Sequence, residues 1–223
     1  MAIILKLKNI TKQFIEPRRN IVALNNINLT LSDGQCIGLL GPSGSGKSTL
    51  LQIAGLLDDP TRGEIIINGK KCAHLSQEKR NSIRKVNIGF VYQNFYLLDS
   101  FSALENVIIP QLINGSNFDN AKKRAIKLLS DLGLSKRLNN KPRELSGGEK
   151  QRVAILRAIA NMPKIILADE PTGNLDKENG ENVIKIIKDL VNYYKISFII
   201  ATHNLSITKK FDKIIKLSEG KII

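Results

Sequence analysis

The nine residues GPSGSGKST, Gly41 to Thr49, have the types and spacing to hold phosphate. Gly41 to Ser48 satisfy G-x-x-x-x-G-K-[ST]: Pro42, Ser43, Gly44 and Ser45 fill the free positions, and Gly46, Lys47 and Ser48 complete the pattern. Glycines let the backbone curl until several N–H groups point into one concavity, and a helix N-terminus adds positive potential there. Lys47 is expected to reach the β- and γ-phosphates, and the Ser48 hydroxyl to ligate Mg²⁺. The context fits, because the apolar run QCIGLLG at 35–41 feeds the loop and a helical pattern from Lys47 to about Leu56 leaves it.

A phosphate loop needs a carboxylate to complete a metal site. IILADE at 165–170 supplies one: apolar and small residues, then Asp169 where a buried strand would end. Ligands of parallel sheets bind at that edge. Asp169 is expected to hold Mg²⁺, and Glu170 to polarise the attacking water as general base. Gln93 follows IGFVY (88–92) and His203 follows FIIAT (198–202). Each alone reads equally as a structural polar residue at a strand end. Their shared placement suggests one ligand edge, with Gln93 beside Mg²⁺ and water and His203 at the γ-phosphate.

One glycine-bearing stretch is left over. Ser146, Gly147 and Gly148 open a helix in ELSGGEKQRVAILRA, with no lysine placed to grip phosphate. A bare helix N-terminus is half of an anion site. Two chains paired head to tail would let the Ser-Gly-Gly of one close over the γ-phosphate held by the other, making ATP part of the glue of a homodimer.

The elements that position these residues follow from periodicity. Strands are expected at 3–9, 22–31 and 35–41, with an edge strand at 63–69. SALE at 102–105 is a capping box on Ser102 and Glu105. Asp119 is expected to cap a second helix that ends at Gly133, and a third helix to run from about Gly148 to Ala160. Strand–helix alternation then returns with KIILAD, a helix across 178–194, ISFIIAT and a short finish at KIIKL. Such alternation implies parallel strands with crossovers. The expected fold is a single α/β domain, 1–223, of the P-loop NTPase type. A largely parallel core with an antiparallel β edge spans 1–94 and 161–223, and residues 95–160 form an inserted α-helical subdomain.

The totals bound the remaining possibilities. The chain has 223 residues, 42% hydrophobic and without tryptophan, enough for one large aliphatic core or a core with a satellite lobe. Cys36 and Cys72 lie far apart without metal-ligand spacing, as expected of incidental thiols in a reducing compartment. Lys6 and Lys8 interrupt the N-terminal apolar stretch before it resembles a signal peptide. Apolar runs are of strand length, far below the roughly 20 residues of a membrane helix. A soluble cytoplasmic chain is the expectation. The net charge of +14 suits nucleic acid, an anionic membrane surface or nucleotide. Without a run of five basic residues, a solvated basic surface is the default and a place beside anionic lipid the alternative.

Taken in order, these residues resemble the nucleotide-binding subunit of ABC transporters over essentially the whole chain. The resemblance puts the phosphate loop at Gly41–Ser48, the glutamine loop at Gln93 and the signature at Leu145–Glu149. It also puts the acidic strand at Ile165–Asp169, the catalytic carboxylate at Glu170 and the switch histidine at His203. It further implies that Asp176, in GNLD, contacts the partner chain and that an aromatic stacks on adenine. Phe14 is the candidate for that stack, weighed against a core role. The signature reads LSGGE where its commonest form ends in Gln, so Glu149 changes the local charge. Segments such as LADEPTGNLD look most like the branch of lipoprotein-releasing, macrolide-exporting and cell-division ATPases. The resemblance implies ATP and Mg²⁺ as cofactors, an ATP-dependent homodimer and integral membrane permease-type subunits as partners. It also implies peripheral attachment at the cytoplasmic face of the inner membrane, with no nucleic acid. Lipoprotein release is the expected task; another ABC importer, exporter or cell-division complex, or a nucleic-acid-associated ABC ATPase, is the alternative.

Overall fold

The computed structural model describes residues 2–16 and 19–223. Two sheets carry the strands. The first is antiparallel, in the order β2-β1-β4-β5, from β1 (Ile3–Glu16), β2 (Arg19–Ser32), β4 (Arg62–Ile67) and β5 (Lys70–Lys71). The second has the order β10-β9-β3-β8-β7-β6, from β3 (Cys36–Leu40), β6 (Ile88–Tyr92), β7 (Ile165–Asp169), β8 (Ser197–Thr202), β9 (Lys213–Ser218) and β10 (Lys221–Ile222). In it β9, β3, β8, β7 and β6 all run parallel, and β10 alone is reversed.

Buried parallel strands read as continuous apolar runs because both faces are covered. Side chains still alternate between faces, and the core divides accordingly. Ile37, Leu39, Ile165, Leu167, Ile199 and Ala201 pack with α1 (Lys47–Ala54) and the antiparallel sheet. Cys36, Ile166, Ala168, Phe198 and Ile200 pack on the other face against α5 (Gly147–Ile159) and α6 (Lys177–Tyr194). That second core continues without a break into α3 (Ala103–Ile113) and α4 (Phe118–Asp131) through Ala103, Val107, Ala121 and Leu129. Both cysteines are buried and free, and burial pushes the Cys36 thiol up to about 12.

Local signals set most helix starts. Ser102 caps α3 in the expected box, its Oγ accepting from Glu105 N–H while the Glu105 carboxylate accepts from Ser102 N–H. The cap of α4 differs from expectation. Asn117, not Asp119, is extended at φ −71° and accepts from Asn120 N–H, which leaves Asp119 in the first turn facing the helix dipole. The helix stops at Asp131, ahead of Gly133, which takes φ +72°. One helix has no counterpart in the sequence reading: α2 (Gln77–Asn87) buries no residue, so it has no apolar period to detect. It is tied down by polar contacts, Arg80 to Asp59 at 2.8 Å and Arg84 to the Leu56 carbonyl at 2.9 Å.

Strand β6 and helix α5 approach so closely that only glycine fits between them. A Cβ on Gly89 would lie 2.3 Å from the Ala158 carbonyl oxygen and 2.5 Å from Ile166 Cδ1. Gly89→Ala is expected to cost about 1–3 kcal/mol of stability by overpacking, measured as a lower urea midpoint at unchanged slope.

Candidate nucleotide site

Strand register brings the candidate residues to one place. Leu40 pairs with Thr202, Asp169 with Ala201, and Tyr92 with Asp169, so four parallel strands end within one residue of one another. The next residue in each case is Gly41, His203, Glu170 or Gln93. A cleft of about 560 Å³ opens at this edge. Ser43, Gly44, Gly46, Lys47, Ser48 and Thr49 line it from the loop, and Gln93, Asp169 and Glu170 from the neighbouring strands.

The loop is shaped by its glycines. Gly44 and Gly46 take φ +77° and +103°, in the left-handed region that only glycine enters freely. Lys47 is buried and its ammonium donates to the Gly41 and Pro42 carbonyls at 2.7 and 3.0 Å, straddling the loop. The Ser45 hydroxyl is buried beneath the loop without a partner. Gly41, Pro42 and His203 line a separate recess with Leu217 and Ser218.

The consecutive carboxylates Asp169 and Glu170 diverge for a backbone reason. Asp169 ends β7 in regular register, whereas Glu170 turns left-handed at φ +47° while its N–H still donates to Ala201 O at 2.9 Å. A non-glycine residue held there stores strain of about 1–3 kcal/mol. The turn brings Glu170 Oε1 to 2.8 Å from His203 Nδ1. The His203 ring is largely exposed and the Glu170 carboxylate largely buried, so the histidine caps the acid from the solvent side.

Two residues given no role in the sequence analysis hold Gln93 and the loop that follows it. Asn174 accepts from Gln93 Nε2 at 3.2 Å and donates to Gln93 O at 3.0 Å, bridging GNLD to the end of β6. Arg157, near the end of α5, donates to the carbonyls of Phe95 and Tyr96, both in the left-handed region. Both stand inside motifs singled out above, yet their partners lie 81 and about 60 residues away. No local pattern announces such pairs.

Ser146, Gly147, Gly148, Asp176 and Phe14 do not line the cleft. Ser146 caps α5 in a full box with Glu149, whose carboxylate accepts from Ser146 N–H at 2.8 Å and pairs with Arg137 at 2.8 Å. The helix end is therefore less bare than the sequence suggested. The two glycines also differ. A Cβ on Gly148 would fall 2.4 Å from Asn179 Oδ1, whereas one on Gly147 meets nothing closer than 3.5 Å. Asn179 is engaged, its N–H and Nδ2 donating to Asp176, the cap of α6, at 2.9 and 2.6 Å. Phe14 is partly exposed with the Lys12 ammonium 5.1 Å from its ring centroid, which rules out a core role. Its cross-strand partner Ile21 does line the cleft.

A family model described as ABC transporter matches residues 24–173. Relatives include the lipoprotein-releasing system ATP-binding protein LolD 1 of Rhodospirillum rubrum, 47% identical over 98% of this chain and 97% of the relative. Another is LolD of Wigglesworthia glossinidia brevipalpis, 45% identical over 99% of this chain and 96% of its own length. This chain belongs to the ABC transporter family. The ABC fold is matched equally in solved structures. A dimeric bacterial ABC transporter cassette has a TM-score of 0.90 and 41% identity, covering 98% of this chain and 96% of the other. A dimeric post-hydrolysis cassette bound to ADP and Pi has a TM-score of 0.90 and 40% identity at the same coverage. The chain is an ATP-binding ATPase of the ABC type, and no helix among the described residues is long and apolar enough to cross a membrane.

The caps around the signature can be tested directly. Gly148→Ala should lower stability by about 1–3 kcal/mol by displacing Asn179, while Gly147→Ala stays neutral or gains slightly; urea unfolding of both variants measures the contrast. The Ser146 N–H, then the Arg137 guanidinium, holds the Glu149 carboxyl below its ordinary value of 4.5. A carboxylate depressed in the folded state contributes stability above its unfolded pKa and loses it as pH falls through the folded value. Native protein should exceed Glu149→Gln by roughly 0.5 kcal/mol at neutral pH, and the gap should close on acidification below 4.5.

Proposed function

We propose that this ABC domain is the ATP-hydrolysing subunit of a lipoprotein-releasing complex, working as an ATP-dependent homodimer beneath integral membrane subunits. The observation that carries the dimer is that the cleft is half a site. Phosphate grip, metal donors and base converge on it, whereas Ser146, Gly147 and Gly148 lie outside it in their own chain. A second copy, turned head to tail, would lay its Ser-Gly-Gly over the γ-phosphate. The dimeric state of two similar solved cassettes supports this reading. Near-full-length identity to two lipoprotein-releasing ATP-binding proteins supports the cargo.

Each residue has a role in this reading. Gly41 to Thr49 wrap the phosphates; Lys47 exchanges its two carbonyl partners for β- and γ-phosphate oxygens. Phe14 stacks on adenine at the open end, and Asp176 meets the partner copy. Glu170 takes the proton of the attacking water, and His203, 2.8 Å away, orients it. The donor set fits Mg²⁺: Ser48, Gln93 and Asp169 line the cleft together. Among the described residues no group of three His, Cys, Asp or Glu would hold a metal unaided, as suits an ion that draws its other ligands from phosphate and water. When bound, the ion offsets charge on the phosphates.

The membrane subunits have a site in the same reading. A groove of about 480 Å³ between sheet and helical lobe carries apolar Leu57, Phe90 and Ile113 beside Arg84 and Arg157. Arg157 also holds the Gln93 loop through Phe95 and Tyr96, so a partner helix seated there would feel the state of the γ-phosphate. ATP then drives release because it favours the closed dimer and hydrolysis removes that preference. The complex sits at the cytoplasmic face of the inner membrane, held there peripherally by its partners.

Glu170→Gln is expected to keep ATP binding, lower kcat roughly 100-fold or more and accumulate an ATP-bound dimer on size-exclusion chromatography. Near-normal turnover would mean that another group is the base. Reconstituted with its membrane subunits, the native chain should discharge lipoprotein from vesicles and the variant should not; discharge of a different solute alone would overturn the cargo.

A further inference from the structure

Lys12, on β1, pairs with the Asp58 carboxylate at 2.7 Å and donates to the Asp59 carbonyl at 2.8 Å. Its side chain is only 13% exposed. A cation so nearly enclosed has given up water that its partners must replace, so it is held in one place rather than swinging in solvent. A third group lies within reach, and it is aromatic. The Lys12 ammonium stands over the Phe14 ring, 5.1 Å from the centroid. That is inside the roughly 6 Å at which a ring face attracts a cation.

Strand order says on which side the cation is anchored. Lys12 and Phe14 are two residues apart on β1 and share one face of the antiparallel sheet. In that sheet β1 runs between β2 and β4. On the β2 side Phe14 stands opposite Ile21, which lines the nucleotide cleft. Asp58 and Asp59 lie on the other side, just ahead of β4, where Thr61 N–H donates to Thr11 O at 2.8 Å and Thr61 Oγ1 accepts from Gln13 N–H at 2.9 Å. The ammonium is therefore tethered on the β4 side of the ring, and the side toward Ile21 is left for a base.

Phe14 needs such an anchor. It is 41% exposed near the end of β1 and packs in neither apolar core. An aromatic ring so placed samples several rotamers, and fixing one of them on binding costs affinity. Lys12 ties the ring to the turn after α1, where Leu57 N–H donates back to Gln52 O at 2.9 Å. Helix α1 begins at Lys47 of the phosphate loop. Ring and phosphate loop are thus referred to opposite ends of one helix.

We propose that Lys12, clamped by Asp58, is a positioning residue that presets the Phe14 ring to receive a purine base at a fixed distance from the phosphate loop. This role rests on the adenine stack assigned to Phe14 above and supplies the group that orients the ring.

Titration of the full chain with ADP and with inorganic pyrophosphate tests this, since only ADP carries a base. Lys12→Met keeps the aliphatic stem. It should raise the ADP Kd about two- to fivefold, the range of a partly exposed cation–ring contact, and leave the pyrophosphate Kd unchanged. Lys12→Arg, which keeps the charge, should bind ADP nearly as the native chain does. Phe14→Ala should weaken ADP alone, and adding Lys12→Met to it should weaken ADP no further. Lys12→Met strands the Asp58 carboxylate, so a second variant combines it with Asp58→Asn, removes both charges and gives the same reading should the first not fold. Equal loss of ADP and pyrophosphate would show that Lys12 only holds the fold. Additive losses in the Phe14→Ala background would show that it acts without the ring. Tighter ADP binding by Lys12→Met would show that the cation occupies the face the base needs. Each of these overturns the proposal. No loss with Lys12→Met beside a clear loss with Phe14→Ala overturns it and spares the stack, whereas no loss with Phe14→Ala removes the stack and the Lys12 role together.

Discussion

Strand ends aligned to within one residue are the constraint on which the rest of the molecule depends. Parallel pairing sets Leu40 against Thr202, Asp169 against Ala201 and Tyr92 against Asp169. A slip of one residue in any pair would turn that strand's apolar side chains onto the wrong face and withdraw its terminal polar residue from the cleft. The hydrophobic division between the two faces of the sheet therefore enforces catalytic alignment as a by-product of burial. Chemistry sits at the carboxyl edge because that is where the strands stop being apolar.

Helix α5 joins the two halves of the molecule's task. Its first turn carries Ser146 and the glycines, held by Glu149, Arg137 and the Asn179–Asp176 cap of α6. Its last turn carries Arg157, which fixes the carbonyls after Gln93 and lines the groove between sheet and lobe. One helix thus carries the Ser-Gly-Gly at one end and, at the other, the arginine that holds the loop after Gln93 and lines the groove between sheet and lobe. The lobe and the sheet share one continuous apolar core. The left-handed turns at Phe95 and Tyr96 mark where the chain bends to allow this.

Charge is distributed to match. Glu170 at the cleft is engaged by His203, and Asp176 outside it by Asn179. On the lobe, Arg137 pairs with Glu149.

Residue type and local period were enough to read the phosphate loop, the acidic strand end, the Ser102 box and the alternation that implies a parallel sheet. Each depends on neighbours within a few positions, which a linear chain displays. Helix α2 was illegible because it packs only Ile83, and that partly, against the core, and the start of α4 was misplaced because Asn117 and Asp119 are both competent caps. Tertiary structure alone decided which distant groups meet: Asn174 with Gln93, Arg157 with the loop after β6, Asn179 behind Gly148. Those contacts join residues brought together by sheet register and helix packing. They depend on three-dimensional closure, which leaves no period or spacing in the chain for the eye to find.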